Sequence, residues 1–531
     1  MFSVLASGCA LSELVRHPWT YVAPAAFQGG SWSSEHDCVY SFAAASGVPG
    51  GFTFESPRGC VQDKWQKAAG RLDKFTNTVT LQFRGDGAEL GPALSGVLVD
   101  DCSLIDTSDG GMYVRGYEGR AHTMDFAPHE YLKLATAWVV RSAVVTFPFD
   151  GSKHLTPGIP IAPGGTPHYY GYWLRDGFYG SSNAFDLVNA TMRKSFLESY
   201  EWMFARPRYD GIFPQSCHPM ENASVKCQYG QAPANGDQLD HINQDLDSCS
   251  FAVKSLYVFF RSLPQGAARA LFLKYKDAML KSFQATSKDP AGSGLLWSNT
   301  SDPQVGYGFQ DDEIKSGNVL YSSLLYWNAT RLMARMANVT GDAVLARQMQ
   351  DTAAQVRDAA NKAFWNDTLG VYMASTGLER RNIDVWGNAM AGAMGFTTPE
   401  QDAKMFRWFS ANEDKIFFEG QVREIPFPSQ WTMRSVIDSS PTHPSDPMAT
   451  VRIYQNGGYW ATPHHHVLPW LGGHDKEMAC RLLNATIASY RAHGIWEWVG
   501  PFFPAASVGA PGYTASAANS YFASKHLRCW E

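Results

Sequence analysis

The residues that could do chemistry lie in five stretches. Tyr170–Gly177 reads YGYWLRDG and sets Trp173, Arg175 and Asp176 close together just ahead of a helix. An arginine–aspartate pair can hold itself as a fixed fork whose carboxylate accepts sugar hydroxyls. An N-cap aspartate beside an ordinary ion pair has the same signature. Gly236–Ser248, GDQLDHINQDLDS, gathers Asp237, Asp240, His241, Asp245 and Asp247 at a helix start. Acids there suit the helix dipole and equally a polar pocket wall. Calcium-loop spacing is absent. Gly306–Gly317, GYGFQDDEIKSG, places Asp311, Asp312 and Glu313 in a row behind Tyr307. Neighbouring acids raise one another's pKa, and a carboxyl still protonated at neutral pH is what a general acid needs. A solvated helix start is the plainer reading. Tyr454–His466, YQNGGYWATPHHH, carries Asn456, Tyr459 and Trp460 beside two glycines that let backbone come close. Its three consecutive histidines point in different directions on any regular element, so no metal site is expected there. His493–Val499, HGIWEWV, sets Glu497 between Trp496 and Trp498. A carboxylate buried among indoles costs free energy unless it is hydrogen-bonded or catalytic.

Composition narrows the class. The 531 residues are 45% hydrophobic and 18% charged, which is globular and not disordered. A net charge of -6 without any dense Lys/Arg run excludes a general nucleic-acid binder. No stretch approaches the ~20 apolar residues of a membrane span. The 17 Trp, 23 Tyr and 31 Phe fit a large core or a site where aromatic faces pack on pyranose rings. There is no G-x-S-x-G, no H-E-x-x-H, no P-loop and no strand-linked G-x-G-x-x-G, so neither cofactor nor metal is expected.

The elements that must position these residues change character along the chain. Residues 1–125 carry short β-type runs at Thr78–Phe83, Gly96–Val99 and Met112–Val114 between Gly, Asp and Ser turns, and read as an N-terminal β-rich portion. Residues 126–531 read as helices joined by loops. The spacing predicts helices at Glu130–Thr146, Ser182–Phe204, Asp245–Leu263, Ala267–Ala285, Ser316–Ala337, Asp342–Phe364, Val385–Met394, Pro399–Ser410, Trp460–Leu471, Asp475–Ala492 and Tyr513–Leu527. Antiparallel pairs of that number suggest a mainly α (α/α)6 toroid, inner helices alternating with outer ones. Long aromatic loops at Arg206–Asn243, Asp289–Lys315, Gly420–Tyr459 and Ile495–Gly512 would build a pocket at one rim. A pocket, as opposed to an open cleft, favours attack on a chain end.

Nine cysteines form no C-x-x-C pair, which excludes zinc-ribbon and thioredoxin-type readings. Cys217 and Cys227 flank a short polar loop and are spaced to close a disulfide. Asn-x-Ser/Thr sequons stand at Asn189, Asn222, Asn299, Asn328, Asn338, Asn366 and Asn484. Together these point to a secreted or lumenal glycoprotein, although Met1–Val15 lacks the basic start and long apolar block of a signal peptide.

In order, these motifs resemble the six-hairpin, (α/α)6-barrel glycoside hydrolases. Tyr172–Asp176 resembles the W-x-R-D element of the glucoamylases and especially the W-L-R-D of exo-acting α-mannosidases. Leu246–Ser248 and Gly308–Asp312 are similar to pocket and general-acid segments of those mannosidases. Glu497 ahead of Tyr513–Tyr521 is similar to their base glutamate before the last helix. Tyr454–Pro463 resembles segments of uncharacterised bacterial members. The resemblance implies an inverting, exo-acting glycosidase with Asp311 as acid, Asp312 as its nearest competitor, and Glu497 as base. It implies Trp173, Arg175, Asp176, Asp247, Tyr307, Asn456, Tyr459, Trp460 and Trp496 as the sugar-binding set, and a carbohydrate as the partner. The paired glutamates of glucoamylases and the trehalase and rhamnosidase signatures are missing, so sugar, anomer, linkage and oligomeric state do not transfer. A non-catalytic carbohydrate-binding protein on this fold and a polysaccharide lyase are the competing readings.

Overall fold

The computed structural model describes residues 127–146, 153–157, 171–188, 190–219, 225–229, 246–299, 308–309, 313–432, 454–500 and 512–531, with eight strands ahead of them. Those strands are β1 (Trp19–Val22), β2 (Val39–Ala44), β3 (Gly51–Glu55), β4 (Lys67–Asp73), β5 (Thr78–Arg84), β6 (Leu90–Leu98), β7 (Leu104–Asp106) and β8 (Met112–Arg115). Each pairs antiparallel with the next, and β1 pairs with β8, which closes the sheet into a barrel. Closure leaves no free edge. The three runs expected from sequence lie in or overlap β5, β6 and β8.

The remainder is a ring of helical hairpins. The outer helices are α1 (Pro128–Ser142), α3 (Ala190–Phe204), α5 (Gln265–Ala285), α7 (Ala343–Phe364), α9 (Pro399–Ala411) and α11 (Lys476–His493). The inner ones are α2 (Leu174–Asn183), α4 (Ser248–Ser262), α6 (Leu320–Thr340), α8 (Val385–Ala393), α10 (His464–His474) and α12 (Thr514–Leu527). Each inner helix packs on the next, from α2 through α12 and back to α2, which is the (α/α)6 toroid. Turns leaving the inner helices are short, such as Gly341–Asp342 between α6 and α7. Connections entering them are long, such as 205–247 and 412–463. All six inner helices therefore begin at one rim, where these connections end.

Local chemistry explains the boundaries. Asp342, Asp384 and Asp475 cap α7, α8 and α11 by accepting amides at 3.1, 2.7 and 2.9 Å. Thr398 and Gln401 form a capping box on α9 with Pro399 in its first turn. Gly341, at φ 88°, stops α6.

Three expected helices needed correction. The tail of Glu130–Thr146 turns into a strand, Val144–Thr146, paired with Lys153–Leu155; three β-branched residues in a row favour that. Ser182–Phe204 is the end of α2, a turn and α3. Helix α2 itself was not expected, because glycines and serines at 177–182 are weak helix formers. Packing overrides propensity there: a Cβ on Gly177 would strike the Tyr172 ring, so only glycine lets the helix lie that close. Trp460–Leu471 begins as a strand, with Tyr459–Trp460 paired to Val422 and Arg423, and turns helical only after Pro463.

The Cys217–Cys227 disulfide is present and staples the hairpin Ser216–Pro219/Val225–Gln228, which pairs with Tyr172–Trp173. A second one, Cys480–Cys529, was not expected and ties α11 to the turn after α12. Cys249 is a buried free thiol. No described helix is long and apolar enough to cross a membrane.

Candidate active site

The rim where the inner helices start gathers most of the residues singled out from sequence. Trp173 precedes α2, half-buried, with its ring edge-on to His218 at 4.5 Å. Arg175 and Asp176 lie in the first turn of α2 and are both buried. They do not fork onto each other, as the sequence suggested. Neighbours on a helix diverge by about 100°, so Arg175 reaches Asp247 at 3.3 Å and Asp176 accepts a hydrogen bond from the Tyr513 hydroxyl at 2.5 Å.

Asp247 is the junction of the site. It occupies the N-cap position of α4, yet its carboxylate makes no capping hydrogen bond. Oδ2 accepts from Arg175 and from the Gly308 amide, the latter at 2.5 Å. One buried oxygen thus joins the start of α2 to the loop that carries the acids. A charged acceptor with charged and amide donors offsets the cost of burying it. Gly308 has φ 90°, and a Cβ there would strike the Tyr321 ring, so this loop conformation requires glycine. Next to it, the Phe309 carbonyl accepts from the buried Gln455 amide, and the Phe309 ring stands 5.4 Å from that of Tyr179.

Tyr307, Asp311 and Asp312 lie outside the described residues, as do Asp237, Asp240, His241 and Asp245. Glu313 is described and is fully buried. It meets Lys315 at 2.9 Å, and Lys315 meets Asp384 at 3.5 Å. Glu424 is fully buried too, close enough for its carboxyl and that of Glu313 to influence each other's titration. Burial raises the Glu313 carboxyl, and burial together with the Glu313 charge lifts that of Glu424 well above the usual range. Burial would lower Lys315, but the charges of Glu313 and Asp384 outweigh it and hold the amine protonated. Burial and mutual repulsion thus work against Glu313 and Glu424 both being charged beside Lys315. The third acid of the row is therefore engaged with Lys315, and burial is the largest influence on its titration.

Glu497 is buried, on the connection entering α12, and its carbonyl accepts from the Ser516 hydroxyl at 3.5 Å. Trp496 is half-buried and donates from Nε1 to the His493 carbonyl at 2.7 Å. Asn456 is buried and turns its Oδ1 to the Trp431 amide at 2.7 Å. Tyr459 is half-buried, with the Arg423 guanidinium 5.6 Å from its ring. Trp460 differs from the expectation of a sugar-lining ring: it is 1% exposed and packs edge-on to Trp386 at 5.8 Å, in the core. Its position in a strand turns it inward while Tyr459 faces the other way. The three histidines open α10; His464 spans the Gly420 carbonyl and the Ser520 hydroxyl at 3.0 and 2.9 Å.

Sequence reasoning missed Tyr513 as the partner of Asp176, Gln455 as the brace of the acid loop, and the cluster of Lys315, Asp384 and Glu424. Tyr513 was visible only as a helix start. The cluster gave no signal, because its members come from three separated connections.

No protein-family model matches the chain, and no curated protein matches its sequence. Solved structures match its fold. A rhamnosidase from Klebsiella oxytoca with rhamnose bound superposes with a TM-score of 0.51 at 13% identity, over 95% of this chain and 84% of that one. The GH63 mannosylglycerate hydrolase from Thermus thermophilus in complex with glucose superposes at 0.50 and 13% identity, over 74% of this chain and 99% of that one. An uncharacterized conserved protein from the same organism gives the same figures. The chain has the six-hairpin (α/α)6 fold that these structures share.

Proposed function

We propose that the chain is an exo-acting, inverting glycoside hydrolase that removes a terminal sugar. The observation that carries this reading is the buried junction at Asp247, which ties Arg175 to the Gly308 loop at the rim where Asp176 is also buried. Carboxylates and a guanidinium converging from separate inner-helix starts suit a pocket that grips hydroxyls by several charge-assisted hydrogen bonds. The glycosidase neighbours on the same fold make that chemistry the natural one for the rim, as an analogy of fold.

In this reading Asp311 protonates the departing glycosidic oxygen, with Asp312 as the alternative donor. Glu497 removes a proton from the water that attacks the opposite face of the ring. Inversion needs about 6.5–9.5 Å between the two carboxyls so that water fits. Arg175, Asp176 and Asp247 hold the terminal sugar, and Trp173 and Trp496 supply aromatic walls. Engaging Glu313 with Lys315 and Glu424 leaves only Asp311 and Asp312 of the acid row for catalysis. Two disulfides among the described residues favour an oxidising compartment, in keeping with a secreted or lumenal enzyme.

The experiment is monosaccharide release from a panel of α- and β-linked glucosides, mannosides, galactosides and rhamnosides. Release of one sugar names the substrate. Retention of a glycan with no cleavage of any panel member rejects the hydrolase in favour of a binding protein.

A further inference from the structure

Two inner helices of the toroid carry basic groups that the proposed chemistry does not use. Lys254 is the one charged residue between Cys249 and Phe260, and is 6% exposed. Its ammonium lies over three rings: Phe178 at 4.6 Å, Phe251 at 4.9 Å and Tyr179 at 5.3 Å. Such contacts are worth about 0.5–2 kcal/mol each, less than the several kcal/mol that burying an ammonium costs. The carboxylate that acts on it, Asp247, is already taken by Arg175 and the Gly308 amide.

The same Tyr179 ring stands 4.4 Å from that of His465 on α10, whose ring centroid is 3.8 Å from that of His466. His465 Nδ1 lies 3.0 Å from the Thr462 carbonyl oxygen. A carbonyl only accepts, so Nδ1 carries the proton and Nε2 is bare. Nε2 of His465 and Nε2 of His466 are both buried without a hydrogen-bond partner among the described residues. Unsatisfied buried nitrogens are costly and mark a place that a ligand can satisfy. Phe251, one of the rings under the Lys254 ammonium, lies one turn nearer the start of α4.

We propose that Lys254, His465 and His466 form a binding site for a small anionic group between the inner helices α4 and α10. Burial lowers the Lys254 amine to about 7 and His466 to about 3. Burial, then the neighbouring His466 and Lys254 charges, push His465 well below its usual value. Among the described residues, the other titratable groups around the cluster are Asp247 at the start of α4, Asp176 and Tyr179 on α2, Tyr321 on α6 and His464 on α10. Tyr179 and Tyr321 are held protonated by burial, and His464 is lowered to about 4. An anion stabilises the protonated amine and imidazoles, so its affinity falls as pH rises.

Two sources supply such a group: the carboxylate of a terminal hexuronic acid, or free chloride. The first rests on the proposed function and the second does not. Titration calorimetry of the full chain with sodium glucuronate, with glucose as neutral control, tests the first. Chloride NMR line broadening tests the second. Each is run about one pH unit below and one above the Lys254 value, and the calorimetry in two buffers of different ionisation enthalpy. We expect one or both anions to bind with net proton uptake, about tenfold more weakly per pH unit on the alkaline side, and at least tenfold more weakly in K254M. Glucose should show no such pH dependence. Absence of binding by both anions at both pH values, or binding without proton uptake, overturns the site. Where K254M does not fold, H466N and the wild-type proton count decide. Anion binding without cleavage of any glycoside would reject the hydrolase reading and leave this one standing.

Discussion

At the residue scale the candidate site is a set of buried charges, of which Arg175, Asp176 and Asp247 have named partners. Asp176 is held by Tyr513, so Y513F removes one donor while keeping the ring that opens α12. A hydrogen bond to a charged group is worth about 1.5–3 kcal/mol. The expected result is a tenfold or greater loss of sugar affinity, read as Kd or KM, with an unchanged circular dichroism spectrum; unaltered affinity would remove Asp176 from the sugar-holding role. Residue types and spacing made much of this legible. Arg175, Asp176, Asp247 and Glu497 are all buried, and a carboxylate between two tryptophans was conspicuous without any structure. What stayed hidden was pairing. That Arg175 chooses Asp247 and not Asp176 depends on helix α2 starting at Leu174, and the glycines and serines beyond it argued against a helix.

At the element scale the connections matter more than the helices they join. The cluster of Glu313, Lys315, Asp384 and Glu424 pins three connections together beneath the rim. Because burial raises the Glu313 and Glu424 carboxyls in the folded chain, the folded state holds protons that the unfolded state has released. Their contribution to stability is complete below the ordinary glutamate value of about 4.3 and is lost as pH rises through the raised values. Thermal unfolding of wild type should therefore decline on the alkaline side, and E424Q, which cannot ionise, should flatten that decline. An identical slope in the two proteins would mean that the Glu424 carboxyl is not raised. Outer and inner helices were largely readable from apolar spacing, since each needs one inward face. Their ends were readable where a cap exists, as at Asp342, Asp475 and Pro399, and shifted where short strands interrupt, as at Gly317–Asn318 and Tyr459–Trp460.

At the scale of the molecule the toroid depends on its last helix, which packs on both α2 and α10 and so closes the ring. The Cys480–Cys529 disulfide fastens the end of that helix to α11. Removing it with a C480S/C529S double substitution should cost about 2–5 kcal/mol and lower Tm; an unchanged Tm would show that helix packing alone holds the ring shut. Ring closure also brings the connection carrying Glu497 to the same rim as the acid loop, although many residues separate them in sequence. The central claim is that a single-displacement hydrolysis takes place between those two connections. It is tested most directly by following product anomers by proton NMR during the first turnovers of a cleaved glycoside, with D311N, D312N and E497Q beside wild type. The account predicts that the first product has the configuration opposite to the substrate. It also predicts that E497Q and one of the two aspartate variants stay folded but lose at least about 10²–10⁴-fold in kcat. A product that retains the substrate's configuration, or an E497Q variant with near wild-type turnover, would contradict it.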